Sequence, residues 1–266
     1  MTAPGIADTG TVAPTAAAIP LITADALAVG YSAAPVLSEV TFSLRAGERI
    51  GVLGPNGGGK TTLFRALLGE LSPLAGSLDT AARCGTVPQT ERSRLDFPVS
   101  ALDVALMGAI AGRPWWKRPG RAERAAAHAA LERVGLDALA ERAFGELSGG
   151  QRQRVLVARA LVQDARIVLL DEPFTGLDNV SVQRLEGLLD ELAGEGRGVL
   201  IATHDVDQAR AWDQVLCINR RQVAFGPPRE TLTLEVLAAT YGGSIVTLPQ
   251  DGGERLAILP PHHHDH

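Results

Sequence analysis

Short apolar runs alternate with helix-length amphipathic stretches along most of the chain. The runs predict strands at Leu21–Val29, Val40–Leu44, Ile50–Leu53, Leu74–Asp79, Arg83–Val87, Arg166–Leu170, Gly198–Ala202, Val215–Ile218 and Gln222–Phe225. Helical periodicity falls on Thr61–Leu68, Val99–Ala111, Arg121–Val134, Leu136–Ala143, a segment from Ser148 to about Leu161, Val180–Ala193, Val206–Ala211 and Leu234–Tyr241. The run Ile167–Leu170 is short and wholly apolar, as in a strand buried on both faces of a parallel sheet. The β-α-β alternation around it predicts a parallel sheet covered by helices. Between 90 and 145 the strands stop, so a helical block interrupts the β-rich halves, with a Gly- and Pro-bracketed loop at Gly112–Gly120. Ser244–Leu248 and Arg255–Leu259, split by Gln250-Asp-Gly-Gly253, predict a terminal hairpin. Residues 1–20, rich in Ala, Thr and Pro with Asp8 as their one charge, read as a flexible extension.

Composition narrows the classes. The 266 residues are 45% hydrophobic and 21% charged, with net charge −5, enough for a substantial core and opposed to nucleic-acid binding through a basic surface. Cys84 and Cys217 lack metal-site spacing, which predicts buried reduced thiols. No run approaches the eighteen or so apolar residues of a membrane span, and no secretory signal is apparent, so a membrane role requires a partner.

The chemistry centres on Gly54-Pro-Asn-Gly-Gly-Gly-Lys-Thr61, between an apolar strand and a helix. It fits G-x-x-x-x-G-K-[ST], whose backbone N–H groups and helix N-terminus cradle phosphate oxygens. Lys60 is one of only two lysines in the chain; it can reach the β- and γ-phosphates, and Thr61 can ligate Mg²⁺. Asp171 and Glu172 follow a strand, where open α/β sheets place ligands; Asp171 suits Mg²⁺ and Glu172 an attacking water. His204 follows another strand at the same predicted edge and fits a γ-phosphate contact.

Leu147-Ser-Gly-Gly-Gln151 makes a second anion-ready helix start, which a single chain with one nucleotide has no reason to build. A head-to-tail dimer has one. Here the sequence resembles the ATP-binding subunits of ABC transporters over about residues 21–241.

The resemblance implies a P-loop NTPase of the ABC-ATPase fold. That is an α/β architecture with a parallel core sheet, an antiparallel β subdomain and an inserted α-helical subdomain at about 90–160, followed by a hairpin and His-rich tail at 242–266. It implies ATP and Mg²⁺ as cofactors, sandwiched between two copies of the chain. It further implies integral membrane permease subunits and, through them, a substrate-binding protein as partners, and a place on the cytoplasmic face of the cell membrane. Residue by residue, Tyr31 resembles the adenine-stacking aromatic. Gly54, Pro55, Asn56, Gly57, Gly58, Gly59, Lys60, Thr61 and Thr62 form the phosphate loop. Gln89 resembles the glutamine that senses Mg²⁺ and water. Ser148, Gly149, Gly150 and Gln151 match the signature loop, Asp171 and Glu172 the magnesium-binding and catalytic carboxylates, Asp178 the loop that crosses the dimer interface, and His204 the switch histidine.

In style, the triple glycine, the segment Pro88–Pro98 with Leu102–Gly108, and Arg220–Gly226 resemble importers of manganese, zinc or iron. His262, His263, His264 and His266 offer imidazoles to a divalent cation, or form a disordered polar end or a purification remnant. Trp115-Trp116-Lys117-Arg118 is read as packing plus a solvated charged face, with contact to the permease or lipid headgroups as the alternative. The rival functions are an ABC ATPase for another substrate and a soluble, non-transport ABC ATPase. The second usually carries two nucleotide domains or a coiled-coil arm, and the roughly sixty residues between Gln89 and Ser148 are too few for an arm.

Overall fold

The computed structural model describes residues 20–88, 98–110 and 119–242, and the backbone of strands 245–250 and 253–258. Gln89, the two tryptophans of the basic loop, residues 1–19 and the His-rich tail lie outside the described residues.

An antiparallel sheet holds β1 (Ile22–Val29), β2 (Leu37–Leu44) and β4 (Ala75–Thr80) in the order β2-β1-β4. The main sheet contains β3 (Arg49–Leu53), β5 (Cys84–Val87), β6 (Ile167–Asp171), β7 (Gly198–Thr203), β8 (Gln214–Ile218) and β9 (Gln222–Gly226). Its order is β5-β6-β7-β3-β8-β9, parallel except for the edge strand β9. The two sheets meet where Ser38 bridges Arg221 and the Thr41 N–H donates to the Gln222 side chain at 2.7 Å.

The helices are α1 (Lys60–Leu67), α2 (Ala101–Ile110), α3 (Arg121–Arg133), α4 (Gly149–Val162), α5 (Asn179–Gly194), α6 (Val206–Ala209), α7 (Pro228–Thr231) and α8 (Leu234–Tyr241). Strands β10 (Ile245–Gln250) and β11 (Gly253–Ile258) pair as an antiparallel hairpin.

The pleat divides the main sheet's side chains between two cores. Ile50, Val52, Ile167, Leu169, Leu200 and Ala202 pack with α1 and the antiparallel sheet. Val168, Leu170, Val199 and Ile201 point the other way, into a core shared with α2 through α5. Burial on both faces is what made these strands continuous apolar runs. Gly51 interrupts the run because Trp212 lies against it: a Cβ there would stand 2.6 Å from the indole ring.

The helix expected over Leu136–Ala143 is absent. Gly135, at φ +67°, ends α3, and two 3₁₀ turns follow, at Asp137–Leu139 and Phe144–Glu146. The buried residues Leu136, Ala140 and Phe144 keep a four-residue spacing, which gave the sequence its helical look. Their backbone is committed elsewhere. The carbonyls of Arg142 and Ala140 accept the Ala101 and Leu102 N–H groups, two of the donors left open at the start of α2, and the Phe144 N–H donates to Val99. The short helix α7 was not anticipated.

Candidate active site

The phosphate loop leaves β3 and enters α1. Gly54 passes so close to β8 that a Cβ would lie 2.2 Å from the Ile218 carbonyl oxygen. Gly59 caps α1 at φ +108° against the Leu37 side chain, a conformation open to glycine and strained for any other residue. Arg220 N–H holds the Gly58 carbonyl at 2.8 Å, and Gly58 N–H donates to Pro55 at 3.0 Å. The loop borders a cavity of about 460 Å³ that Tyr31, Asn56, Thr61, Asp171 and Glu172 also line.

Lys60 is buried. Its ammonium donates to the Gly54 carbonyl at 2.6 Å and the Pro55 carbonyl at 3.3 Å. Burial lowers its pKa, while the carboxylates Glu172 and Asp171 work in the opposite direction. A lysine held by its own loop, with two carboxylates near, is prepared to meet a polyanion. The first turn of α1 carries no acidic side chain to oppose one.

The strand order explains why distant motifs converge. β7 lies between β6 and β3, so Asp171, Thr203 and the phosphate loop all emerge at the C-terminal edge of adjacent parallel strands. Thr61 Oγ1 lies 3.5 Å from Asp171 Oδ2. The oxygens of Thr61 and Asp171 face each other at the cavity. Such a pair suits Mg²⁺, which fills its shell with phosphate oxygens and water.

Glu172 sits at φ +48°, left-handed for a residue with a Cβ, and its N–H donates to the Ala202 carbonyl, within β7, at 2.9 Å. Its carboxylate lies 3.6 Å from His204 Nδ1 and accepts from Thr175 Oγ1 at 3.4 Å. His204 stands in the turn between β7 and α6, which Asp205 caps by accepting from the Asp207 and Gln208 N–H groups. Its side chain is 64% exposed, against 17% for Glu172, so the imidazole is open to solvent and the carboxylate is largely enclosed.

Ser148–Gln151 and Asp178 do not line this cavity. The Ser148–Gln151 loop packs instead against residues flanking Asp178: a Cβ on Gly150 would lie 2.5 Å from Ser181 Oγ, and one on Gly149 3.3 Å from Leu177. Ser148 caps α4 by accepting the Gln151 N–H at 3.3 Å, and the Gln151 side chain accepts the Ser148 N–H at 2.8 Å. The Ser148 hydroxyl proton thus remains available. Asp178 caps α5 through the Ser181 N–H at 2.7 Å, which lowers its carboxyl pKa.

Tyr31 is 57% exposed beside the phosphate cavity, with its hydroxyl 3.5 Å from Thr62 Oγ1. Arg65 lies over its ring at 5.3 Å. Val36 was missed as part of the cavity wall, and Arg65 as the cation behind Tyr31; Arg65's place, one helical turn beyond Thr61, was the available signal. Tyr241 was also missed. It packs its buried hydroxyl beside the loop: burial raises its pKa, and the Gly54 backbone partly offsets that rise.

This fold and cradle define a P-loop nucleotide-binding ATPase. The model of the ABC transporter family matches residues 37–175, and the chain belongs to that family, whose nucleotide-binding subunits hydrolyse ATP. It is 39% identical to the manganese transport system ATP-binding protein MntB of Halalkalibacterium halodurans, over 86% of this chain and 94% of that protein. It is 40% identical to the zinc transport system ATP-binding protein TroB of Treponema pallidum, over 83% of this chain and 86% of that protein. Among solved structures, an inward-facing ABC transporter assigned to the metal-chelate type superposes with a TM-score of 0.78 at 31% identity, covering 92% of this chain and 99% of the other.

Proposed function

We propose that this chain powers the uptake of a divalent transition metal, manganese, zinc or iron, through a membrane permease. Its ATP-binding unit spans residues 21–241, and it works at the cytoplasmic face of the membrane. Among the described residues no helix is long and apolar enough to cross a membrane, which fits a subunit that relies on permease partners. The observation that carries the ATPase reading is the meeting of Thr61 with Asp171 and of Glu172 with His204 at one sheet edge. The cargo reading rests on 39–40% identity to manganese and zinc transport proteins over most of the chain.

In this reading the phosphate-loop N–H groups and Lys60 hold the β- and γ-phosphates, and Tyr31 stacks on the base. Thr61 and Asp171, joined by Gln89, hold Mg²⁺. When bound, the cation neutralises charge on the phosphoryl oxygens. Glu172 orients a water for in-line attack and accepts its proton, and His204 steadies the transferring group. A second copy, paired head to tail, supplies its Ser148 loop and Asp178 to the far side of the nucleotide. Closure of that pair moves the helical block and, through it, the permease, because nucleotide favours the closed pair. A substrate-binding protein delivers cargo on the opposite side.

Glu172→Gln keeps the shape and hydrogen-bonding reach of the side chain but removes the base. ATP affinity should stay within a few-fold of wild type while turnover falls at least a hundredfold. Unimpaired hydrolysis in this variant would refute the assignment. The cargo is tested by the manganese, zinc and iron content of cells lacking the gene, grown under metal limitation. Selective loss of one metal identifies it; three unchanged metals send the substrate elsewhere and leave the ATPase intact.

A further inference from the structure

A second cavity, of about 270 Å³, opens far from the phosphate loop in sequence, where α3, α4 and α5 converge. Arg133, Arg154 and Arg184 line it, with Gln183 beside them and Glu191 as the one carboxylate. A cationic recess is unexpected on a chain of net charge −5. Its charge is offset only in part, by Glu195 beside Arg133 and by the field of Asp178 on Arg184. Arg133 pairs with Glu195, which Arg197 also approaches at 3.7 Å. Arg154 and Arg184 have no carboxylate within ion-pair distance among the described residues.

Arg154 is held in place. One of its guanidinium nitrogens, Nη1, donates to the Val134 carbonyl at 2.7 Å, and the side chain lines the cavity. Burial and the neighbouring Arg184 cation both lower its pKa, so the folded chain tolerates two like charges at close quarters. A single anion placed between them can face both guanidinium groups at once. The floor is also kept open. Gly187 lies inside α5, where glycine costs about 1 kcal/mol relative to alanine, yet a Cβ there would meet nothing within 4 Å. A side chain added there would enter the recess without a clash.

The geometry points to a binding site for a small phosphoryl-bearing anion, held by Arg154 and Arg184 between the helical block and the core. Guanidinium forks match phosphate oxygens in pairs, and two of them on adjoining helices face one recess. An anion seated there bridges α4, which starts at the Ser148 loop, to α5, which starts at Asp178. It therefore ties together the two loops proposed to face a second copy. The site stands on its own residues and does not depend on the cargo.

The test is a ³¹P NMR titration of inorganic phosphate into the full-length chain with its nucleotide site filled by ADP. The wild type should broaden and saturate the phosphate resonance. Arg184→Gln, a surface change, should weaken the affinity at least tenfold, and Gly187→Leu, which fills the recess, should weaken it as much. ADP affinity should stay within twofold in both. Phosphate bound beside the nucleotide would be indifferent to both substitutions. Retained affinity in Arg184→Gln, or no saturable uptake by the wild type, overturns the site.

Discussion

Single residues show best how a motif and its surroundings divide the labour. Lys60, Thr61, Asp171, Glu172 and His204 were legible because each follows an apolar run at a fixed distance, and runs of that kind end at one sheet edge. Arg65 and Tyr241 were not, since their places in the site depend on helix orientation and on a contact made across the sheet. Gly51 carries a consequence at this scale. Trp212 is buried against it and stacks on Phe174 with ring centroids 6.5 Å apart, so neither ring has room to retreat. Gly51→Ala should cost about 1–3 kcal/mol through overpacking. Chemical denaturation should show a lower midpoint with an unchanged slope.

At the scale of elements, caps decide where helices begin, and of these the sequence reading picked out Ser148. Ser148, Asp178, Asp205 and Thr233 each accept a backbone N–H at the start of the following helix. Ser100 makes a similar pair of bonds with Asp103, which sets α2 two residues later than its apolar pattern suggested. The failure at Leu136–Ala143 has the opposite origin: the period was right, but the backbone groups were needed to close the start of α2. Ser148→Ala removes the cap of α4 and should lower stability by about 1 kcal/mol. The loss should be the same with and without nucleotide in the isolated chain, while ATP hydrolysis should fall much further than stability. A Ser148→Ala chain that hydrolyses ATP at the wild-type rate would argue against a role for this loop at the nucleotide.

For the whole molecule, the sequence announced a parallel sheet but not its order. Nothing local says that β7 enters between β6 and β3; that follows from which crossovers can pack helices on both faces. The burial that results encloses Cys217 and partly covers Cys84, which was expected to be buried as well. Cys84 and Cys217 are both pushed up from 9.0 to about 11, chiefly by loss of solvent. The folded state therefore holds these protons more tightly than the unfolded state. Stability from this source is fully present below about pH 9 and is lost as pH rises towards 11. Iodoacetamide at pH 8 should label the native chain slowly and the urea-unfolded chain quickly, with the two sites reacting together at the unfolding transition. Fast labelling of the native protein would mean that one thiol is open to solvent.

The left-handed backbone at Glu172 sets the protein's interests against each other. A residue with a Cβ at φ +48° gives up about 1 kcal/mol that glycine would recover, and the weak contacts to Thr175 and His204 do not make up the difference. Glu172→Gly should therefore melt slightly higher than wild type while losing turnover. A lineage screened only for thermal endurance would drift away from glutamate here, and one screened for work would keep returning to it.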